Sequence, residues 1–254
     1  SHEKELKKLS GKVMLVAGGP PCQGFSMAGR RKEDDVRNSL IDSYLRFVDL
    51  VMPDSLLFEN VKGFTQPFNN CAEDNQGKNY SKYILEELRS RGYLVEAKML
   101  DFSKYGVPQR RIRFILFASK TINPEVFFAT LSSNVQAFVQ SRKIPRKVSL
   151  KSAISDLERA HGQQACPDSP GFMSGQYGSP QTSYQRYCRN GARKGLVPNS
   201  HRFARHRDNT VTRFQELLEM GVRDQNISWL LGKQYNIKKN CFSVLSANLP
   251  SPTL

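Results

Sequence analysis

Residues 12–118 alternate between short apolar runs, which are typical of strands, and longer amphipathic segments, which are typical of helices. The predicted strands are Val13–Ala17, Ser55–Phe58, Leu94–Leu100 and Ile112–Ala118, and the predicted helices are Leu40–Met52 and Tyr80–Arg91. Strands connected by helices favour a mostly parallel α/β sheet whose functional side chains lie at the carboxyl ends of the strands. No helix is predicted between the last two strands, so we expect them to form an antiparallel hairpin.

A cysteine follows the first predicted strand, which we expect to be buried. The intervening residues, Gly18-Gly19-Pro20-Pro21, end the strand and fix the direction of the chain immediately before Cys22. A basic loop containing Arg30 and Arg31 comes next. A thiol held rigidly beside such a basic loop is suited to attack on an anionic substrate, whereas a buried structural cysteine next to a turn is the alternative.

The five cysteines are widely spaced and form no Cys-x-x-Cys pair. This spacing argues against a disulfide framework and against a zinc or other metal site. It fits a reduced, intracellular compartment, and we expect the bacterial cytoplasm, at the nucleoid, in preference to a nucleus.

The net charge of +15 predicts a polyanionic partner, with nucleic acid preferred over an anionic membrane surface. No apolar run reaches the roughly 18 residues of a membrane span. The segment from residue 186 to residue 213 contains eight Lys and Arg residues but one Asp, and Tyr and Phe residues lie among them. Because residues 162–195 are also rich in Gly, Pro, Ser and Gln, we predict a smaller, irregular basic module over residues 160–240.

Three further charged residues lie at the expected functional edge of the sheet. Glu59 ends the second predicted strand, and Arg111 and Arg113 lie at the start of the last one. Glu59 could cap the next segment, and the arginines could form a solvated cluster. Together with Cys22, these groups suit addition of a thiolate to an electron-poor ring that is protonated as it is attacked.

Six motifs occur in the order found in the DNA (cytosine-5) methyltransferases, a family that this chain resembles from about residue 12 to its end. They are Pro20-Pro21-Cys22-Gln23-Gly24-Phe25-Ser26, Arg37-Asn38-Ser39-Leu40, Phe58-Glu59-Asn60-Val61, Gly92-Tyr93, Gly106-Val107-Pro108-Gln109-Arg110-Arg111-Ile112-Arg113 and Leu249-Pro250-Ser251-Pro252-Thr253-Leu254. The resemblance implies part of the Rossmann-like sheet of class I methyltransferases, followed by a target-recognition module.

The resemblance also implies a reaction. A cytosine is flipped out of double-stranded DNA, Cys22 adds to its C6, and C5 receives a methyl group from S-adenosylmethionine. Glu59 would hydrogen-bond to or protonate N3, Arg113 would steady the O2 side of the ring, and Arg111 would hold a phosphate or brace the site.

The remaining site residues follow from the same resemblance. Pro20, Pro21 and Leu40 would contact S-adenosylmethionine. The residues expected to contact DNA are Gln23, Ser26, Arg30, Arg31, Arg186, Arg189, Arg202 and Arg205. We expect residues 1–159 to be the catalytic part, residues 160–240 the target-recognition module and residues 241–254 a return segment to the catalytic part.

The sequence departs from the family pattern at the cofactor site, because no Phe-x-Gly-x-Gly turn precedes Val13 and no C-terminal helix follows the last motif. We therefore expect the chain alone to bind S-adenosylmethionine weakly or not at all, with further sequence or a second polypeptide completing the site. Two other functions stay open: an RNA (tRNA) cytosine-5 methyltransferase, and a DNA-binding fragment without catalytic activity.

Overall fold

The computed structural model describes residues 2–20, 39–66, 79–223, 225, 227 and 244–252. The chain divides into two compact units: unit 1 comprises Ser1–Asp101 and Ile112–Val135, and unit 2 comprises Phe102–Arg111 and Gln136–Leu254. The predicted division into residues 1–159, 160–240 and 241–254 concerns function, and it stays a prediction.

In chain order, the helices and strands are α1 (His2–Lys7), β1 (Leu15–Gly18), α2 (Ser39–Val51), β2 (Ser55–Val61), α3 (Tyr80–Ser90), β3 (Leu94–Asp101), β4 (Gln109–Arg110), β5 (Ile112–Ser119), α4 (Pro124–Ser141), α5 (Leu150–Ile154), β6 (Gln163–Ala165), β7 (Met173–Gly175), α6 (Ser183–Arg189), α7 (Asp208–Glu219) and β8 (Ser251–Pro252). Short 3-10 helices occupy Lys62–Thr65, Phe102–Tyr105, Ser155–Leu157 and Arg159–His161.

The sheet of unit 1 has the strand order β1-β2-β5-β3. β1 and β2 are parallel, whereas β5 runs antiparallel to both β2 and β3. The antiparallel pairing of the last two predicted strands is therefore confirmed. The expectation of a mostly parallel sheet is correct for strand direction, because β1, β2 and β3 run the same way. It is wrong for strand pairing, because β5 runs the other way and lies between β2 and β3, so that β1 and β2 form the one parallel pair of this described sheet.

Strand β1 is more exposed than the sequence predicts. Leu15 is 46% exposed and the preceding Met14 is 77% exposed, so the expectation of a buried strand is wrong for the described residues. The reason is its position, because β1 lies at an edge of the described sheet and pairs only with β2 there. An apolar run of this length does not distinguish an edge strand from a central one.

The core of unit 1 forms where α2 and α3 pack on one face of the sheet. Alternation along β2 buries Leu56 and Phe58, and helical spacing buries Ile84 and Leu88 of α3 against the same cluster. Phe58, Phe64 and Phe114 contact one another with ring centroids 5.3–6.3 Å apart. Burial of each such side chain contributes about 1.5–3 kcal/mol, so this cluster fixes the strand that carries Glu59.

The ends of α3 show why the sequence predicts this helix well. The side chain of Asn79 accepts hydrogen bonds from the backbone N–H groups of Ser81 and Lys82, which caps the first turn. Gly92, just beyond the last turn, has φ +83°, a conformation that favours glycine. A glycine directly after the predicted helix Tyr80–Arg91 indicates that the helix ends there, and the structure confirms this end.

Unit 2 is held together partly by a buried ion pair. Nε of Arg189 donates to Oδ2 of Asp156 at 2.7 Å, and both side chains are less than 5% exposed. Nη2 of Arg189 also donates to the carbonyl of Gly178 at 2.7 Å, and the guanidinium lies over the ring of Tyr177. These contacts join α6 to the segment that follows α5.

Three details of unit 2 differ from expectation. The sequence of Val148–Ala160 predicts one further helix, but Glu158 is extended and only α5 and two 3-10 turns form there. The sequence also predicts a helix over Asn209–Met220 with Asp208 as its N-cap, whereas α7 begins at Asp208 and its N-cap is Arg207. α6 also forms within the segment that the sequence suggests is irregular. Among the described residues, no helix has both the length and the apolar character to cross a membrane.

Candidate active site

The site of unit 1 lies where β1 and β2 end. Because the two strands are parallel, their carboxyl ends meet at one edge, with Gly18 opposite Phe58 and Glu59 next along β2. β5 begins at the same edge, since Arg113 pairs with Val61. Residues two apart on a strand share a face, so Glu59 and Arg113 are diagonal neighbours on one face of the sheet.

Glu59 and Arg113 form an ion pair. Nε of Arg113 lies 2.8 Å from Oε1 of Glu59, and Nη1 of Arg113 donates to the carbonyl of Ile112 at 2.9 Å. The arginine side chain is 11% exposed, whereas the glutamate side chain is 44% exposed. The guanidinium is therefore fixed below the surface and orients a carboxylate that still reaches solvent.

Gly19 packs directly against this carboxylate. A Cβ atom at this position would lie 3.1 Å from both the carbonyl oxygen and Oε2 of Glu59. Only a residue without a side chain allows the backbone to approach so closely without displacement. The sequence alone predicts that Gly18 and Gly19 both end the strand and does not distinguish between them. The signal in the sequence for this close approach is the Gly-Gly pair before Pro20. The absence of a side chain at Gly19 therefore lets the backbone at the end of β1 lie beside Glu59.

Three buried polar atoms near this edge have no hydrogen-bond partner among the described residues. They are the hydroxyl of Tyr44, Nδ2 of Asn60 and Nε of Arg113, whose 2.8 Å approach to Glu59 is an ion pair without hydrogen-bond geometry. Burial raises the pKa of the Tyr44 hydroxyl, so this group stays protonated and can donate. Tyr44 lies one helical turn after the half-buried Leu40 and also contacts Gly18, whose Cβ position would be 3.5 Å from Tyr44 Cε2.

Several predicted site residues lie outside the described residues: Cys22, Pro21, Gln23, Ser26, Arg30 and Arg31. Arg111 is described and belongs to unit 2. There its side chain is exposed and its carbonyl accepts a hydrogen bond from the N–H of Phe102 at 3.0 Å. Its role stays a prediction. Within the described part of the chain, no group of three or more His, Cys, Asp or Glu side chains is arranged to hold a metal ion.

The predicted DNA-contacting arginines of unit 2 fall into two groups. Arg186, Arg202 and Arg205 are exposed. Arg189 is 6% exposed and forms the ion pair with Asp156, contrary to the expectation that it faces DNA. Along a short helix, Arg186 and Arg189 look alike in sequence, and only the buried Asp156 distinguishes them.

Comparison with known proteins decides the family. The family model of the C-5 cytosine-specific DNA methylases matches residues 1–240. The chain belongs to this family. The predicted resemblance is thereby confirmed.

Curated members of the C-5 cytosine-specific DNA methylase family include similar proteins from several bacteria. The Type II methyltransferase M.DdeI of Desulfomicrobium norvegicum is 33% identical over 218 residues, which cover 83% of this chain and 46% of that protein. The Type II methyltransferase M1.HphI of Haemophilus parahaemolyticus is 42% identical over 113 residues, which cover 43% of this chain and 28% of that protein. The chain thus spans about half the length, or less, of these relatives.

A solved structure confirms the methylase fold. A protein described as a DNA modification methyltransferase encoded within an E. coli prophage superposes with a TM-score of 0.55 at 20% sequence identity. The superposition covers 94% of this chain and 62% of that chain. The predicted fold class, a partial Rossmann-like methyltransferase sheet, is confirmed.

Proposed function

We propose that this chain carries the catalytic and target-recognition part of a DNA cytosine-5 methyltransferase of the restriction-modification type. The observation that carries the proposal is the Glu59–Arg113 ion pair at the carboxyl ends of β1 and β2, against which Gly19 packs. Cys22 follows Gly19 by three residues, a length of chain that spans at most about 11 Å.

In the proposed reaction the substrate is a cytosine flipped out of double-stranded DNA, because its C5 and C6 cannot be reached within the base stack. The thiolate of Cys22 forms a bond to C6, and the electrons of the C5–C6 double bond move toward C5 and N3. Glu59 hydrogen-bonds to or protonates N3, which stabilises the charge that develops there. Arg113 holds the Glu59 carboxyl group in place and steadies the O2 side of the ring.

The second half of the reaction restores the base. C5 takes up the methyl group as the bond between this group and the sulfonium sulfur of the donor breaks, which leaves that sulfur as a neutral thioether. C5 then loses its proton to solvent, the C5–C6 double bond forms again, and the bond between C6 and the sulfur of Cys22 breaks. The product is a cytosine that carries a methyl group in place of the hydrogen on C5, and the thiolate of Cys22 is regenerated.

S-adenosylmethionine supplies the methyl group as a sulfonium when it is bound. The described residues fit one side of such a site. Leu40 and Pro20 offer half-buried apolar surface, and the buried hydroxyl of Tyr44, on the same face of α2 as Leu40, lacks a partner among the described residues. In the proposal Pro20, Pro21 and Leu40 contact this cofactor.

The three exposed arginines of unit 2, Arg186, Arg202 and Arg205, contact DNA in this proposal together with Gln23, Ser26, Arg30 and Arg31. Arginine contacts to phosphate provide affinity and orientation, whereas contacts to base edges provide sequence choice. Arg189 is left out because it is buried.

The experiment that tests the function measures transfer of a labelled methyl group from S-adenosylmethionine to duplex DNA and, in parallel, to tRNA, by this chain together with the further sequence or polypeptide that completes its cofactor site. We expect 5-methylcytosine in DNA and none in tRNA. Glu59→Gln should lower the rate by about 10²–10⁴-fold, the usual range for loss of general acid–base catalysis. Glu96→Gln is the matched control, since Glu96 is also a strand glutamate in an ion pair, with Lys98 at 3.0 Å.

Methylation of tRNA in preference to DNA would contradict the assignment of the substrate. DNA binding without any methyl transfer would favour the alternative of a non-catalytic DNA-binding protein. Equal rates for Glu59→Gln and Glu96→Gln would contradict the role given to Glu59.

A further inference from the structure

One aromatic ring in unit 2 carries two arginines. The Cζ atoms of Arg202 and Arg205 each lie 4.6 Å from the centroid of the Phe172 ring. A guanidinium over an aromatic face is attracted by the ring quadrupole, and its plane loses rotational freedom. The two guanidinium groups are thus positioned before any ligand arrives.

The backbone around this cluster, Arg202–Phe172–Arg205, is tied together by hydrogen bonds. The carbonyl of Phe172 accepts from the N–H of Cys166 at 2.8 Å, and the N–H of Phe203 donates to the carbonyl of Met173 at 2.9 Å. Arg202 also pairs with Ser174 of β7 in an isolated β-bridge. The ring and the chain segment that bears the arginines therefore share one rigid backbone frame.

Gly171 provides the space for one of the two arginines. A Cβ atom at Gly171 would lie 3.2 Å from Nη2 of Arg205, and the φ of +79° at this position also favours glycine. The sequence thus combines a small residue, an aromatic ring and an arginine so that Arg205 can lie close to the chain.

Both arginines keep hydrogen-bond donors available. They are exposed, and among the described residues no carboxylate forms an ion pair with either of them, in contrast to Arg189. Arg202 donates from Nη1 to the hydroxyl of Ser169 at a long 3.4 Å. The nearby carboxylate of Asp168 accepts from the thiol of Cys166 at 2.8 Å. Most of the five N–H donors of each guanidinium therefore face solvent.

We propose that Arg202 and Arg205 read guanine bases in the major groove of the target DNA. This inference rests on the proposed function. A fixed guanidinium fork matches O6 and N7 of guanine, and this pairing is the commonest specific contact between proteins and DNA. The Cζ atoms of Arg202 and Arg205 each lie 4.6 Å from the centroid of the Phe172 ring, so these two Cζ atoms are no more than twice that distance apart. Because base pairs are stacked about 3.4 Å apart, the two guanines lie within about three steps of each other.

The experiment selects duplexes that the intact protein methylates from a pool with random sequence around one cytosine. The wild-type protein is compared with Arg202→Ala, Arg205→Ala and Phe172→Leu. Arg142→Ala is the matched control, because Arg142 also lies over aromatic rings of unit 2, those of Phe138 and Tyr187, but is not among the residues proposed to contact DNA. Salt dependence of binding is measured for each variant.

We expect each arginine variant to lower the preference for guanine by about tenfold or more at one position, with the two positions within about three base pairs. Phe172→Leu should relax both positions together, and Arg142→Ala should relax neither. A uniform loss of binding with a smaller salt slope and an unchanged sequence preference would overturn the inference, because it would assign these arginines to phosphates.

Two further results separate this inference from the function on which it rests. If the wild-type protein selects a sequence and the arginine variants select the same one, the inference fails while the proposed function stands. If the wild-type protein methylates no duplex, the proposed function fails and the inference fails with it.

Discussion

At the scale of single residues, the site depends on one short contact between backbone and side chain. Gly19 approaches the carbonyl and carboxylate oxygens of Glu59 so closely that its hydrogen cannot be replaced by a methyl group without movement. Among the described residues, a Cβ atom at the neighbouring Gly18 would meet only the ring of Tyr44, at an ordinary contact distance of 3.5 Å. The two adjacent glycines therefore differ in how well they tolerate substitution by alanine.

This difference yields a paired prediction. Gly19→Ala should lower the rate of methyl transfer by on the order of tenfold or more, because a displacement of a few tenths of an ångström at a catalytic carboxylate disturbs its alignment with the substrate. Gly18→Ala should change the rate less than about twofold. Rates measured under single-turnover conditions test both, and equal losses in the two variants would contradict the role given to Gly19.

At the scale of secondary-structure elements, unit 2 depends on the ion pair between Asp156 and Arg189, which joins α6 to the segment after α5. Removal of one partner leaves an uncompensated buried charge, which usually costs about 3–5 kcal/mol. Asp156→Asn should therefore lower the free energy of unfolding by about that amount. Denaturant titration of the variant measures this change.

A surface ion pair is the control for that measurement. Lys8 and Glu5 lie 2.8 Å apart, but both side chains are about 70% exposed. Glu5→Gln should change the free energy of unfolding by less than about 1 kcal/mol. If Asp156→Asn destabilised the protein no more than Glu5→Gln does, the ion pair would not hold α6 in place.

The elements also show how far the sequence predicts the structure. α3 is predicted well because three local signals indicate the same helix. They are the helical spacing of its apolar residues, the N-cap at Asn79 and the glycine at position 92. The burial of β1 is mispredicted because its edge position depends on pairing across the sheet, which a local pattern does not contain. The Glu59–Arg113 pair is only partly predicted, since the sequence places both residues at one edge but does not reveal the register that joins them.

At the scale of the whole molecule, the dominant feature is the net charge of +15. The chain contains 38 Lys and Arg residues against 23 Asp and Glu residues. A protein with this excess binds DNA largely by releasing the cations condensed on phosphates. The proposed function therefore makes DNA affinity strongly dependent on salt.

We expect the affinity for duplex DNA to fall by about a thousandfold or more between about 50 and about 200 mM salt. The logarithm of the association constant should fall linearly with the logarithm of the salt concentration. Binding titrations at several salt concentrations measure this slope. Affinity independent of salt would contradict a DNA surface built from the exposed arginines.

The central claim is that the thiol of Cys22 adds to C6 of a flipped cytosine, and covalent trapping tests it most directly. In duplex DNA that contains 5-fluorocytosine, the C5 proton is replaced by fluorine, so the methylated adduct cannot release the thiol. We predict a stable protein–DNA adduct when S-adenosylmethionine is present. Cys22→Ser should abolish it, whereas Cys188→Ser, which removes an exposed free cysteine, should not. An adduct that persists in Cys22→Ser would contradict the account.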